Sequence, residues 1–427
     1  MTTHSSQLPA ETLRYLRKRA LSGPWLLEGS ERSDYDGAVV IPALAESRHL
    51  PATLQSLAQN PPEILKRFLV VVVVNHGVGV SPADKEDNNN TLLELRDGKL
   101  SFGALQPAWV DAASPGRELP GKGGVGPARK LGFDLALSHC RFNRTEAPIF
   151  ISLDADTLVE PTYLAAIIEH FRNHPQGCAV LPFRHQAGKT QEIDTAIRHY
   201  ELYLRSYVLG LSLAGSPYAF HTIGSTIACR AGAYVRNGGM NRRPSGEDFY
   251  FLQQMQKTTG VAHLRGTTVH PSPRPSLRVP FGTGPTVARF LREPDQAVRF
   301  YHPDSFSLLG AWLSCAESHW QASADTVIDK AGFISSHLAD FLRGIKLSYN
   351  WPRLQANHPN AKSFIAAFHG WFDALRSRQL LHYLSSGPLP YCDRRQSLKP
   401  MFARSGLPFS DLLAEQLEVI RHFQAKN

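Results

Sequence analysis

Apolar runs of strand length alternate, through the first half of the chain, with stretches whose apolar positions recur every three to four residues. Ala38–Ile41 and Phe68–Val74 are unbroken apolar runs, the second almost all valine, and Ile149–Leu153 and Cys178–Pro182 follow in the same style. Runs without polar alternation fit strands covered on both faces, as in a parallel sheet. Between them, Arg48–Gln59 places Leu50, Leu54, Leu57 and Ala58 on one helical face. Pro127–Cys140 turns Ala128, Leu131 and Leu135 inward, and Pro161–Asn173 forms a further helix. Strands alternating with helices of this length predict a doubly wound α/β sheet. Such sheets bind ligands beyond the carboxyl ends of their strands, where Pro42, Asn75 and Asp154 fall.

The pattern changes at both ends. Residues 1–36 are a polar, basic lead-in, with a short helix expected over Ala10–Ala20 (Leu13, Leu16, Ala20) that packs on the main domain. Gln191–Ala214 is a long helical stretch whose Tyr200, Tyr203 and Tyr207 share a face. Three tyrosines so spaced either floor a sugar site or, more commonly, pack in a core. A Gly/Ser/Thr segment, His221–Ala228, follows. Beyond Val287 the chain turns helical and rich in Trp, Phe and Leu, punctuated by Pro388, Pro390 and Pro400, with a last helix over Asp411–Gln424. The expected division is a lead-in (1–36), a sheet domain (37–285) and an α-helical C-terminal appendage (286–427).

Composition narrows the partners. The 427 residues carry a formal charge of +9, which suits a polyanionic ligand or surface. Zinc-finger spacing, an RRM signature and long basic blocks are lacking, so nucleic acid is not the expected partner. Five scattered cysteines fit no disulfide framework and point to a reducing compartment. The longest apolar run is too short to span a bilayer, and Met1–Ser6 shows no secretory pattern. A cytoplasmic protein is expected, with peripheral contact at the inner face of a membrane left open.

Candidate chemistry begins where the Ile149–Leu153 run breaks into Asp154-Ala155-Asp156. Alone, this pair reads as a helix cap with a solvated neighbour. Spaced i, i+2 at a strand end, however, both carboxylates lean the same way and offer oxygens to a hard divalent cation. Gly121-Lys122-Gly123-Gly124-Val125-Gly126 satisfies GxGxxG literally, but a polar loop, Asp111–Pro120, separates it from any strand, so a dinucleotide fingerprint is not expected. The glycines do feed a helix with Pro127 in its first turn, exposing backbone N–H groups at a positive dipole end beside Lys122 and Arg129. A flexible loop with solvated cations is the competing reading. Gly246-Glu247-Asp248 starts a helix, where the dipole holds a carboxylate ionised. His270 closes a short strand, and Arg274 and Arg278 follow in a Pro-rich loop running to Gly282.

Taken in order, these segments resemble an inverting family 2 glycosyltransferase of the GT-A fold, a Rossmann-like doubly wound sheet, over roughly Ala38–Gly284. The resemblance implies a metal-dependent hexosyltransferase that moves a sugar from a nucleoside-diphosphate sugar to an acceptor hydroxyl. Pro42, Ala43 and Glu46 are similar to the family's donor loop, although Leu44-Ala45 stands where an aromatic and Asn are common. Asn75 replaces the usual base-binding Asp, which leaves the base open. Lys122 and Arg129 fall in the segment between donor loop and DxD. By resemblance Asp154 lies near ribose and metal, Asp156 binds the metal, and His270 is the third ligand; such a set suits Mn2+ at least as well as Mg2+. Glu247-Asp248 looks like the family's acidic pair, Asp248 as general base and Glu247 orienting the acceptor. Gly224, Ser225, Arg274 and Arg278 are assigned to an acceptor or phosphate loop, the acceptor itself being unknown and, on these arginines, anionic in one reading. Neither membrane helices nor a QxxRW segment appears, which implies a non-processive enzyme. A retaining transferase and a non-catalytic nucleotide-sugar-binding protein are the alternatives.

Overall fold

By its contacts the chain forms two compact units, Met1–Ala187 with Thr222–Pro273, and Gly188–His221 with Arg274–Asn427. The computed structural model describes residues 8–142, 147–278, 280, 282–293 and 298–426. The lead hexapeptide Met1–Ser6 thus lies outside the described residues.

The first unit is built on a sheet. Its strands are β1 (Leu27–Glu28), β2 (Gly37–Ala43), β3 (Phe68–Asn75), β4 (Ala108–Ala112), β5 (Ile149–Ser152), β7 (Cys178–Val180), β8 (Ile227–Arg230) and β9 (Val261–His263), while β6 (Leu158–Val159) and β10 (Val269–His270) form a separate antiparallel ribbon. The order is β1-β4-β3-β2-β5-β8-β7-β9. β4, β3, β2 and β5 run parallel, and every residue of β3 is buried, as its valine run requires. β8 enters antiparallel between β5 and β7, and β1 is antiparallel to β4, so the sheet is mixed. The chain winds from β2 through β3 to β4, then returns to the other side of β2 as β5. That reversal opens a crevice beyond the carboxyl ends of β2 and β5, the expected ligand edge.

Helices of this unit are α1 (Ala10–Lys18), α2 (Leu50–Leu57), α3 (Pro62–Leu65), α4 (Pro82–Arg96), α5 (Val125–Ala136), α6 (Tyr163–Asn173), α8 (Ala231–Arg236) and α9 (Glu247–Thr258). α5 lies on β2 and β3, with Phe133 stacked on Phe150 of β5 at 5.1 Å between ring centroids. α4, β4 and β8 have no counterpart in the apolar pattern. α4 opens Pro-Ala-Asp-Lys-Glu-Asp-Asn-Asn-Asn, too polar for periodicity to register.

The second unit collects α7 (Gln191–Leu213) with α10 (Thr283–Arg292), α11 (Pro303–Ser318), α12 (Ala324–Ile334), α13 (Ser336–Gly344), α14 (Leu347–Asn357), α15 (Ala361–Trp371), α16 (Ala374–Ser385), α17 (Arg394–Arg404) and α18 (Leu413–Lys426). The C-terminal region is helical throughout its described elements. The units do not break at 36/37 or 285/286. α7 buries Leu202, Leu209 and Leu211 in the core that holds Trp312, Trp351 and Phe368. Buried Glu201 of α7 also takes Arg205 at 2.9 Å and Arg421 of α18 at 2.7 Å. The lead-in belongs with the sheet, because the Tyr15 hydroxyl of α1 donates to Asp134 of α5 at 2.6 Å. Tyr203 and Tyr207 pack on Phe300, Tyr301 and Phe306, which is core packing. Among the described residues no helix is long and apolar enough to cross a membrane.

Candidate active site

β5 ends at Ser152, and the next residues turn. The Thr157 amide donates to the Asp154 carbonyl at 3.1 Å. Ala155 and Thr157 are buried while Asp154 and Asp156 stay partly exposed, the alternation that an i, i+2 pair keeps at a strand end. α2 and the residues after it hold this turn from below. Thr53 Oγ1 donates to the Ala155 carbonyl at 2.8 Å, Ser56 Oγ accepts from the Val159 amide at 3.1 Å, and Asn60 Oδ1 accepts from Leu164 at 2.8 Å.

The centre of the site is Arg129, one turn into α5. Its side chain is only 3% exposed, and its two terminal nitrogens divide between Asp154 and Glu247. One guanidinium thus ties the acidic turn after β5 to the acidic start of α9, 118 residues further on than the arginine. Burial opposes the charge on Arg129, but Asp154, Glu247 and Asp248 together outweigh it and keep the guanidinium ionised. Gly246, at φ +70°, makes the left-handed turn that delivers Glu247 and Asp248 to the helix start. Gly224 lies flat against the Arg129 guanidinium, and a Cβ there would strike it. The neighbouring Ser225 Oγ is buried with no hydrogen-bond partner among the described residues.

Burial dominates the titration of the acidic pair. It pushes the Glu247 carboxyl above the usual carboxylate range; Arg129 opposes the shift and the Asp248 charge adds to it. Asp248 is raised by burial too, again against Arg129, while its Oδ1 accepts from the Phe249 amide at 2.7 Å. Asn241 Nδ2 donates to the Glu247 carbonyl at 2.8 Å and fixes the start of α9.

Pro42 and Ala43 close β2 at the same sheet edge. Ala45 follows at φ +50°, left-handed for a residue with a Cβ, at a cost of ~1–2 kcal/mol. Asn88 of α4 secures it: Oδ1 accepts from the Ala45 amide at 2.8 Å and Nδ2 donates to the Asn75 carbonyl at 3.2 Å. Asp87 takes the Ser47 amide and hydroxyl at 3.0 and 2.6 Å. Glu46 is buried beside His49, at 3.3 Å. Asn75 is buried, and its Oδ1 has no partner among the described residues. The glycine loop docks beside it, Leu119 donating to His76 and Val78 to Gly121, with Lys122 exposed.

The His270 backbone lies near the acidic turn, with a shared neighbour. Gln186 Nε2 donates to the carbonyls of both Asp156 and His270, at 3.0 and 2.7 Å. His270 Nδ1 sits 3.0 Å from the Arg184 carbonyl, which can only accept, so Nδ1 donates there. Glu160 Oε1 lies 3.5 Å from Nε2. Among the described residues no three His, Cys, Asp or Glu side chains already form a metal-binding group. The donor types, carboxylates and an imidazole, nonetheless fit a divalent cation.

Arg274 and Arg278 belong to the second unit, and Val279 and Phe281 of their loop lie outside the described residues. Conversely, Asn88, Gln186, Glu160 and the bridging role of Arg129 carry no motif. A cation three residues beyond the last glycine of that loop was visible; which acids it would meet was not.

No protein family model matches the chain, and no curated protein does. Solved structures with a likeness include Staphylococcus aureus TarS residues 1–349 in complex with UDP-GlcNAc, at 14% identity over 82% of this chain and 91% of that one, TM-score 0.39. Another is the mannosyltransferase PcManGT from Pyrobaculum calidifontis in complex with GDP-Man and Mn2+, at 14% identity over 97% and 92%, TM-score 0.38. A third is Mycobacterium tuberculosis glucosyl-3-phosphoglycerate synthase, at 12% identity over 73% and 85%, TM-score 0.32. These are weak likenesses, and the function proposed below rests on the chain's own residues.

Proposed function

We propose that this chain is a glycosyltransferase that moves a hexosyl group from a nucleoside-diphosphate sugar to an acceptor hydroxyl, with inversion. The observation that carries the reading is the Asp154–Arg129–Glu247 bridge, which joins the two acidic motifs at the reversal point of the sheet. Pro42, Ala43, Glu46 and Asn75 line the nucleotide side, with Asn88 holding the loop, and Lys122 lies in the adjacent glycine loop. Asp154 and Asp156 face the diphosphate. A divalent cation, Mn2+ or Mg2+, held by Asp156 and His270 with Asp154 beside them, would neutralise charge on the departing nucleotide.

Asp248 is the base that takes the acceptor proton, a contribution of ~10²–10⁴ in rate. A carboxylate raised by burial is the stronger base, and Phe249 N–H fixes its orientation. Glu247, locked on Arg129, orients the acceptor. Arg129 is a positioning residue that sets the spacing between leaving-group side and base side. Gly224 lies against that guanidinium, and it and the neighbouring Ser225 border the acceptor.

A thermal-shift panel of UDP-, GDP- and dTDP-sugars with and without Mn2+ tests the reading, since stabilisation follows RT ln(1 + [L]/Kd). Metal-assisted stabilisation by one nucleotide series supports it. No stabilisation by any of them would count against it.

A further inference from the structure

The GxGxxG stretch Gly121–Gly126 follows no strand, and the proposed chemistry uses only the cations beside it. Yet Gly123, Gly124 and Gly126 lie backbone against backbone with other segments of the first unit. Gly123 faces Gly77, two residues beyond β3: a Cβ on Gly123 would stand 2.7 Å from the Gly77 nitrogen. Gly124 faces Pro244, and its Cβ would stand 2.7 Å from the Pro244 Cα. Gly126, in the first turn of α5, faces the approach to α9. Its Cβ would overlap the Arg243 carbonyl oxygen, and would stand 3.0 Å from Glu247 Cβ and 3.2 Å from the Asn241 carbonyl oxygen. Gly121 differs: nothing lies within 4 Å of where its Cβ would be.

Contacts of this kind fix a distance more firmly than side-chain packing does, because they have no rotamers with which to yield. The strand side of the loop is tied by hydrogen bonds as well, Leu119 donating to the His76 carbonyl at 2.9 Å and Val78 to Gly121 at 3.0 Å. The segment on the other side is braced internally. Asn241 Nδ2 donates to the Glu247 carbonyl at 2.8 Å, and its Oδ1 accepts from the Arg243 amide at 3.2 Å. From Gly123 to Gly126 the chain therefore touches both the strand end that carries Asn75 and the turn that carries Glu247 and Asp248. Arg129 follows one turn later on α5 and meets Glu247 through its side chain.

We propose that Gly123, Gly124 and Gly126 are positioning residues, a backbone strut that sets the distance from the donor end of β3 to the acidic pair at the start of α9. The effect on catalysis rests on the glycosyl-transfer reading. The mechanical link between Gly126 and the Arg129–Glu247 pair does not.

The test compares Gly126→Ala, Asn241→Ala and Gly121→Ala in the full chain. Alanine is the better helix former, so a loss in Gly126→Ala is not a loss of α5. With the donor found by the thermal-shift panel, Gly126→Ala lowers kcat about tenfold or more, as misplaced reacting groups do, while the donor KM stays within about threefold. Asn241→Ala removes the brace at a half-buried position without adding an atom, and lowers kcat in the same way. Gly121→Ala, where a left-handed φ of +64° is the sole cost, keeps both constants. A second arm needs no substrate. Arg129→Met lowers the urea midpoint in the wild-type background; in Gly126→Ala, which pushes Glu247 off Arg129, that drop is roughly halved or smaller. If Gly126→Ala does not fold, Asn241→Ala takes its place in both arms. Equal midpoint drops in the two backgrounds overturn the strut, as does a wild-type kcat in Gly126→Ala or an equal kcat loss in Gly121→Ala. Coupled midpoints in a protein that turns over no sugar nucleotide sink the transfer reading and leave the strut standing.

Discussion

Arg129 and Glu247, each 3% exposed in its side chain, form a buried ion pair that joins the first turn of α9 to α5. Buried pairs of this kind are weak contributors to net stability, because desolvation offsets the Coulomb gain, yet breaking one side is expensive. The pair therefore makes sense as a positioning device. With Asp154 on the same guanidinium, it sets the spacing of two acidic motifs that share no local contact.

Arg129→Met leaves Glu247 buried without its cation. The expected loss is ~3–5 kcal/mol of unfolding free energy at neutral pH, read from urea denaturation. Arg129→Met/Glu247→Gln recovers most of it. Equal stability of the single and double variants contradicts the bridge.

The raised Glu247 carboxyl predicts a pH dependence. The native state keeps a proton that the unfolded chain releases at its ordinary pKa of 4.5. Between 4.5 and the raised value the folded form binds more protons, so stability falls as pH rises through that window and levels off above it. Glu247→Gln lacks this contribution. Its melting temperature, relative to wild type without added metal, climbs from pH 4.5 upward; a pH-independent difference contradicts the shift.

Asn88→Ala frees Ala45 and the Asn75 carbonyl from their common partner. It costs ~1–3 kcal/mol and raises the KM for the sugar nucleotide with little change in kcat, because α4 touches the donor loop and not the acidic pair. A kcat loss at constant KM would contradict that placement.

Tyr15 and Asp134 attach the lead-in. Asp134 accepts from Tyr15 at 2.6 Å, from Tyr234 at 2.8 Å and from the Leu21 amide at 3.0 Å, and it pairs with buried Lys130 at 3.0 Å. Asp134→Ala strands Lys130 and is expected to destabilise by ~3–5 kcal/mol, against ~1–3 kcal/mol for Tyr15→Phe. Limited proteolysis of Asp134→Ala should cut first within the lead-in; cleavage elsewhere first contradicts the attachment.

The parallel core was legible because burial on both faces leaves unbroken apolar runs: Phe68–Val74 and Ala38–Ile41 are strands within a residue or two of the pattern. The strand-end position of Asp154 and the helix start at Glu247 followed from the same logic. α4 was not legible, since half its surface is solvated and its one structural asparagine looks like its neighbours Asn89 and Asn90. β8 hid in a Gly/Ser/Thr segment, too short to signal an antiparallel insertion. The grouping of α7 with the C-terminal helices, and the meeting of Arg129 with two distant carboxylates, are products of tertiary contact. Linear patterning records which faces are apolar, not which partner each polar group finds.

The most direct test of the proposed chemistry is sugar-nucleotide turnover, with transfer or hydrolysis of the donor counted, in wild type, Asp248→Asn and Asp156→Asn. Once the thermal-shift panel has identified the donor, wild type should turn it over. Asp248→Asn should lose ~10²–10⁴ in kcat while still binding donor, and Asp156→Asn should lose metal-assisted donor binding. Unchanged turnover in both variants would contradict the assignment.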